Sequence, residues 1–231
     1  MRVIALLSAA VLAAPVAAPA QVVAVDAGTF RITRDGRPVG QETFTIRRSG
    51  GPGGDVYIAS GTVEMGARRL SAALRADASG SPLAYQLEVR EGATVRERLK
   101  GLVGRGRFSA QVTTPTGEST REYIVASGAL VLDEEIFHQY YFLAQRAQRM
   151  GEAGGAVPVV VPRQNVQEMM RVRWAGADRL TIGGAPVTAR VLVLTGPAGA
   201  TRHIWVDEAG RVLKVELDGR GIVALRTELP R

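Results

Sequence analysis

One segment of the chain has a periodicity that the rest lacks: residues 133–150 read DEEIFHQYYFLAQRAQRM. Its apolar residues recur at the three- and four-residue spacing of a single helix face. We predict a helix over 133–150, with Asp133 as its N-cap and Gly151 as its C-terminal cap. Apolar and aromatic side chains cover more than half of its circumference. Such a helix has to be largely enclosed by the rest of the protein.

The sequence on both sides of this helix predicts β-strands. Short apolar or alternating runs are broken by Gly, Pro, Asp and Ser at intervals of about ten residues. The first pair predicts a hairpin, because Phe30 and Ile32 alternate with polar residues and Phe44 and Ile46 do the same after the turn at Asp35-Gly36. Helix signals are otherwise nearly absent.

These patterns together predict a mainly β fold. We expect a strongly curved antiparallel sheet, a half-barrel, wrapped around the one long central helix at about 133–150. A two-sheet sandwich with the helix at its mouth is the alternative. The predicted domain organisation is a single β-rich domain over 21–231.

The first twenty residues have the composition of a Sec-type signal peptide. Arg2 is followed by an apolar run over 3–16 and by the small residues Ala18-Pro19-Ala20. We predict cleavage after Ala20. The run is shorter than the roughly 20 residues that span a membrane, and no later segment is longer. Because the chain has no cysteine, a lipid anchor on cysteine is excluded, and we expect a periplasmic or secreted protein.

The charge balance is basic. Lysine and arginine total 29 against 22 acidic residues, which gives a formal net charge of +7. Such a balance suits an anionic partner, and for an exported protein this means phospholipid head groups or lipopolysaccharide phosphates rather than nucleic acid. Only Lys100 and Lys214 are lysines, however, and a GC-rich genome would produce the same arginine-rich composition.

Residues that carry catalysis or bind metals are sparse. The chain has two histidines, His138 and His203. Glu134 and His138 are spaced i, i+4 and could share a metal ion on a helix face, but no further ligand follows at a usable spacing. We predict no catalytic residue, no metal site and no cofactor. The glycines Gly101, Gly104 and Gly106 precede no helix, so we interpret them as a loop rather than a nucleotide-binding motif.

Two turns in different halves of the chain share the pattern Asp-x-x-Gly-x-x-Leu, at residues 77–83 and 207–213. Aspartate accepts hydrogen bonds from the amides of its own turn, and glycine adopts positive φ readily. Turn chemistry therefore explains the pattern, and we do not infer a duplication from it.

The layout of strands, an inserted apolar helix and the hairpin HIWVDEAGRVLKV at 203–215 resembles the half-barrel superfamily of periplasmic lipoprotein carriers (LolA/LolB-like proteins) and related exported domains. The resemblance implies a curved sheet that wraps a helix and encloses an apolar cavity for acyl chains. No residue of this chain matches a known functional position of that superfamily.

The leading function is a non-catalytic binding or carrier domain for a lipophilic ligand, with Phe137, Tyr140, Tyr141 and Leu143 lining the site. The alternative is a structural or assembly partner in the cell envelope, with a filled core and no ligand; a hydrolase comes third. A helix-lined apolar void of several hundred Å³ would favour the carrier, because small-molecule pockets measure about 300–1,000 Å³.

The signal sequence gives the first testable prediction. After expression in a bacterial host, the purified protein should begin at Gln21 and fractionate with the periplasm, because Ala18-Pro19-Ala20 is a cleavage sequence. Intact-mass measurement and N-terminal sequencing test this. A cytoplasmic protein that retains Met1 would contradict it.

Overall fold

The computed structural model describes residues 22–51, 54–133 and 135–231. The predicted signal peptide and the Glu134 half of the Glu134–His138 pair lie outside the described residues.

Within the described residues, fifteen strands form one sheet and one α-helix packs against it, so the mainly β prediction is confirmed. The strands are β1 (Val22–Arg34), β2 (Arg37–Ser49), β3 (Val56–Met65), β4 (Arg68–Asp77), β5 (Pro82–Glu91), β6 (Thr94–Gly104), β7 (Arg107–Thr114), β8 (Gly117–Ile124), β9 (Leu130–Val131), β10 (Gly155–Val161), β11 (Val166–Ile182), β12 (Ala185–Thr195), β13 (Thr201–Val206), β14 (Val212–Leu217) and β15 (Ile222–Arg226). The helix, α1, spans Tyr140–Met150, and short 3-10 helices occupy Pro162–Gln164 and Pro197–Gly199.

The strand order shows how the chain curves. It runs β8-β7-β6-β5-β4-β3-β2-β1-β15-β14-β13-β12-β11-β10-β9, with antiparallel neighbours except for the parallel β9–β10 pair. The strands β8 and β9 are thus the two edges of the sheet, yet only residues 125–129 separate them in sequence. Five connecting residues reach about 20 Å at most. The two edges therefore have to approach each other, and the sheet wraps around its own interior.

The sheet is not closed: in the described residues β8 and β9 share no strand ladder, and side chains link β8 and the residues after it to the region of β10 and β11. Arg121 of β8 donates from Nη1 to the carbonyl oxygens of Pro162 (2.9 Å) and Arg163 (3.1 Å). The N–H of Ala126 donates to Oε1 of Gln167 (2.9 Å). We call this junction the seam.

The predicted first hairpin is confirmed: β1 pairs with β2, and Asp35 and Gly36 form the turn at φ values of 50° and 76°. The loop predicted at 101–106 is confined to the turn at Arg105 and Gly106; the prediction is wrong for Gly101 and Gly104, because β6 runs through both. The ring of Phe108 on β7 occupies the space where a side chain at residue 101 would lie. Glycine here accommodates a bulky neighbour rather than ending the strand.

The helix begins later than predicted. It starts at Tyr140 instead of Asp133, and Glu135 has a left-handed φ of 65°, which no helix interior contains. The predicted N-cap role of Asp133 is therefore wrong. The predicted end is confirmed, because Gly151 follows the helix at φ 70° and its N–H donates to the carbonyl of Gln148 (3.2 Å).

A small second core lies on the opposite face of the sheet from α1. Beyond a bulge between Trp174 and Ala177, the β11–β12 hairpin packs Ile182 and Val191 against Trp205 of β13. The indole Nε1 of Trp205 donates to Asp178 (2.9 Å). This part of the sheet thus buries side chains on both faces.

A buried ion pair joins the first strand to the last. Nη2 of Arg226 lies 2.5 Å from Oδ2 of Asp26, and both residues are buried. The same guanidinium donates to the carbonyls of Val212 and Ala27. Burial raises the pKa of Asp26 above its ordinary range, although the charge of Arg226 opposes this. Arg226 therefore supplies the counter-ion of a carboxylate that has left water.

We predict that Arg226→Met lowers the free energy of unfolding by about 3–5 kcal/mol at pH 8, because it leaves Asp26 buried without a cation. A raised native pKa means that protonation favours the folded state, so the deficit should shrink as the pH falls toward about 4. Denaturant unfolding at several pH values measures this.

Two controls accompany this prediction. Arg31→Met, at an exposed position of β1, should change stability little. The double variant Asp26→Asn/Arg226→Met should lose the pH dependence. An equal deficit at pH 8 and pH 4 for Arg226→Met alone would show that Asp26 carries no unpaired charge.

Candidate functional site

The approach to α1 is organised by Glu42, a fully buried carboxylate on β2. Its Oε2 accepts the backbone N–H groups of Phe137 (2.8 Å) and His138 (3.2 Å). Its Oε1 lies 2.6 Å from Nδ1 of His138. A carboxylate suits the positive end of a helix, and Glu42, rather than Asp133, binds the backbone amides of the turn that precedes Tyr140.

Gly61 on β3 leaves the space that this contact needs. A Cβ at residue 61 would lie 2.6 Å from Nδ1 of His138 and 3.0 Å from Oε1 of Glu42. Real Cβ contacts are longer than this, and both neighbours are enclosed. Sequence analysis missed the pair of Glu42 and His138, which are 96 residues apart. The signal that could have indicated it was Glu42 itself, a single acidic residue on the apolar face of a strand.

A second polar cluster holds the segment before the helix. Asp133 accepts hydrogen bonds from the hydroxyl of Tyr85 (2.8 Å) and from Nε of Arg163 (3.2 Å). Glu135 pairs with Arg68 (2.7 Å) and with Arg163 (3.5 Å). Burial, and then the negative charge of Asp133, raise the pKa of Tyr85 well above its ordinary value. These contacts hold Asp133 and Glu135 to the sheet and explain why the helix starts later.

The geometry at His138 resembles that of a histidine oriented by a carboxylate, yet its surroundings differ from those of a catalytic base. Its side chain is fully buried and stacks on Phe44 at 5.9 Å between ring centroids. A general base has to reach the proton it removes from the substrate. His203 is half-buried and 3.2 Å from Asp218, and its strand β13 lies four strands along the sheet from β2, which carries Glu42. Among residues 22–51, 54–133 and 135–231, no group of three or more potential ligands could hold a metal ion.

The first Asp-x-x-Gly turn contacts the end of α1. Oδ1 of Asp77 accepts the N–H groups of Ser79 and Ser81, so that the carbonyl of Ser79 is held toward the helix. That carbonyl accepts hydrogen bonds from Arg146 (2.9 Å) and Arg149 (2.8 Å).

The second turn of this pattern contacts the same helix elsewhere. Oδ1 of Asp207 accepts the N–H of Arg211 (2.8 Å). Gln145 donates to the carbonyl of Ala209 (2.9 Å), and Gln148 donates to that of Glu208 (3.3 Å). The repeated motif thus provides two similar turns whose carbonyls bind α1. The repetition was visible in the sequence, but its relation to the helix was not.

The structure places all four predicted ligand-lining residues in the core. Phe137, Tyr140, Tyr141 and Leu143 are at most 5% exposed. Phe137 packs near Phe30, with ring centroids 6.5 Å apart. The four side chains contribute to one packed interior.

Tyr140 also makes a polar contact, because its hydroxyl accepts a hydrogen bond from Arg202 (3.0 Å). A depression of about 80 Å³ lies against Tyr140, between Arg202 and Asp218. Two adjoining depressions of about 330 and 340 Å³ lie across β2 to β6 and share Ser71 and Ala72. Their lining includes hydroxyl-bearing side chains such as Thr43 and Ser60 and charged side chains such as Glu88 and Arg98.

Comparison with solved structures shows a shared fold. The chain is similar to a β-barrel-like protein of the domain of unknown function DUF1849 from Brucella abortus, with a TM-score of 0.56 and 9% identity over 90% of this chain and 98% of that one. It is also similar to a DUF1089 family protein from Pseudomonas aeruginosa, with a TM-score of 0.37 and 16% identity over 93% and 97% of the two chains. No protein-family model and no curated protein matches the chain.

The similarity to the Brucella protein supports a curved, barrel-like sheet. The resemblance to lipoprotein carriers stays a prediction. Within the described residues, no helix is long and apolar enough to cross a membrane.

We predict that Gly61→Ala lowers the free energy of unfolding by about 1–3 kcal/mol, because the added methyl group collides with enclosed neighbours. Gly104→Ala is the matched control: residue 104 also lies in a strand, and its added Cβ would meet nothing within 4 Å. The control should be neutral or slightly stabilising. Equal stability of both variants would show that Glu42 and His138 are not tightly packed against residue 61.

Proposed function

We propose that this protein is a non-catalytic, exported protein of the bacterial cell envelope that has a filled core and acts through its surface. One observation carries the proposal: the four side chains predicted to line a ligand site, Phe137, Tyr140, Tyr141 and Leu143, are packed in the interior. This is the alternative that the sequence analysis left open beside a lipid carrier.

The size of the space beside the helix supports a filled core. The depression against Tyr140 measures about 80 Å³, whereas small-molecule pockets measure about 300–1,000 Å³. Carbonyls of two turns and the Glu42 carboxylate also hold α1 in place. Displacing the helix would break these bonds together.

The environment of the histidines supports a non-catalytic role. His138 is enclosed, and His203 pairs with Asp218 in a half-exposed position. Neither arrangement places a nucleophile, a base and an orienting group around a shared space where a substrate atom could lie.

A carrier of lipophilic ligands is the second candidate, and the seam favours it. Side-chain hydrogen bonds of Arg121 and Gln167, rather than a strand ladder, link the β8 side of the seam to the 3-10 turn after β10 and to β11. Local opening of such a junction costs less than separating paired strands. An acyl chain could then enter between the edges and contact the aromatic residues of α1.

Truncation of core aromatics distinguishes the two candidates. With a filled core, Phe137→Ala and Tyr140→Ala should each lower the free energy of unfolding by about 3–5 kcal/mol, because truncation leaves a cavity that the surroundings do not fill. Leu102→Ala, at a position 67% exposed, is the control and should cost less than about 0.5 kcal/mol. Denaturant unfolding measures all three.

Binding of a fluorescent fatty acid completes the test. The filled core predicts no saturable binding by the wild-type protein. Saturable binding together with small stability losses in both aromatic variants would refute the filled core and favour the carrier.

A further inference from the structure

One end of the outer sheet face carries a row of arginine and aliphatic side chains. The strand register aligns Arg47, Ile58, Arg75, Ala84 and Leu102 on the adjacent strands β2 to β6. Neighbouring strands lie about 4.8 Å apart, so the row extends about 20 Å. We call these five residues the basic rim.

The side chains of the basic rim point away from α1. Ile58 is 42% and Leu102 67% exposed, and both arginines are exposed. The residues next to them in sequence, such as Ala59 and Leu74, are buried in the core. Alternation along each strand therefore fixes the outward direction of the rim.

The two arginines carry uncompensated charge. No ion pair in the described part of the chain involves Arg47 or Arg75, whereas Asp55 pairs with Arg48 at 3.6 Å. Asp77 accepts hydrogen bonds within its own turn. An anion would therefore meet positive charge at this end of the sheet.

The rim also combines that charge with apolar surface. Single exposed aliphatic side chains are common in proteins, but Ile58 lies between the two arginines in one cross-strand row. Val22 and Ile124, 59% and 71% exposed, lie at the same ends of β1 and β8. Aliphatic side chains beside guanidinium groups suit a surface that has anionic head groups above hydrocarbon.

The start of the chain points to the same partner. Val22 opens β1 and pairs with Ser49, two residues beyond Arg47. The apolar run at 3–16 is joined to Val22 by residues 17–21, which reach about 20 Å at most. Before the predicted cleavage after Ala20, insertion of that run in a bilayer would hold the basic rim close to the bilayer surface; afterwards the rim has to bind by its own side chains.

We propose that the basic rim docks on the surface of a bilayer that contains anionic phospholipid. Arg47 and Arg75 bind lipid phosphates, for which the planar guanidinium fork is well suited. Ile58 and Leu102 insert among the head groups. This inference deepens the proposed function by naming the partner of the surface, and it rests on that function for the envelope location. The docking proposal does not depend on whether the core is filled or opens to admit a ligand.

Vesicle binding tests the rim. The processed protein, purified from cells, is sedimented with vesicles of phosphatidylethanolamine and phosphatidylglycerol (3:1) or of phosphatidylcholine alone. We expect binding to the anionic vesicles that weakens with added salt. Arg47→Gln/Arg75→Gln should weaken it by about 30-fold, since each basic residue near an anionic bilayer contributes about a fivefold factor.

Matched variants locate the surface. Arg34→Gln/Arg37→Gln removes the same charge at the opposite end of the β1–β2 hairpin. Its affinity for anionic vesicles should be several-fold higher than that of Arg47→Gln/Arg75→Gln. Ile58→Thr/Leu102→Thr should weaken binding while retaining its salt dependence. Unfolding curves confirm that each variant is folded.

Three results would overturn the proposal: no preference for anionic vesicles, equal losses at the two ends, or binding to polyglutamate without binding to vesicles, which would point to an acidic protein partner. The filled core is tested separately by Phe137→Ala and Tyr140→Ala, so either proposal can fail alone.

Discussion

The buried carboxylate of Glu42 lies against two backbone amides and one imidazole nitrogen of residues 137 and 138, and the position of α1 depends on this contact. A charged group inside a core is stable only when its hydrogen-bonding capacity is satisfied. The sheet therefore has to present Glu42 at the depth where the helix begins, and Gly61 has to leave room beside it. The two Asp-x-x-Gly turns then hold the rest of α1.

The sequence predicted the fold class because alternation and helical periodicity are local properties. It predicted the end of the helix at Gly151 for the same reason. The start was missed because the groups that determine it, Glu42 and Tyr85, lie far away in sequence. The strand through Gly101 was missed because its glycine accommodates Phe108 across the sheet. The aromatic residues of α1 were expected to be enclosed, since apolar spacing predicts burial. Whether they contact a ligand depends on the volume of the space around the helix, which a sequence pattern does not report.

The two faces of the sheet have different chemistry. The inner face buries the aromatic helix, and Tyr85 and His138 there contact buried carboxylates of the protein. The outer face carries exposed charge and shallow depressions. Recognition by the outer face is compatible with a rigid interior, because strands that are fixed from within hold their outward side chains in register.

Because β1 pairs with β15, the first strand can complete its backbone hydrogen bonding only when the last strand is present. Until residues 222–226 have been synthesised, one edge of β1 has no strand partner, and Asp26 lacks the cation that accompanies its burial. Contacts between such distant residues form slowly, and an open strand edge invites pairing with other chains. A chaperone that shields the β1 edge until β15 pairs with it would therefore be expected to raise the yield of folded molecules.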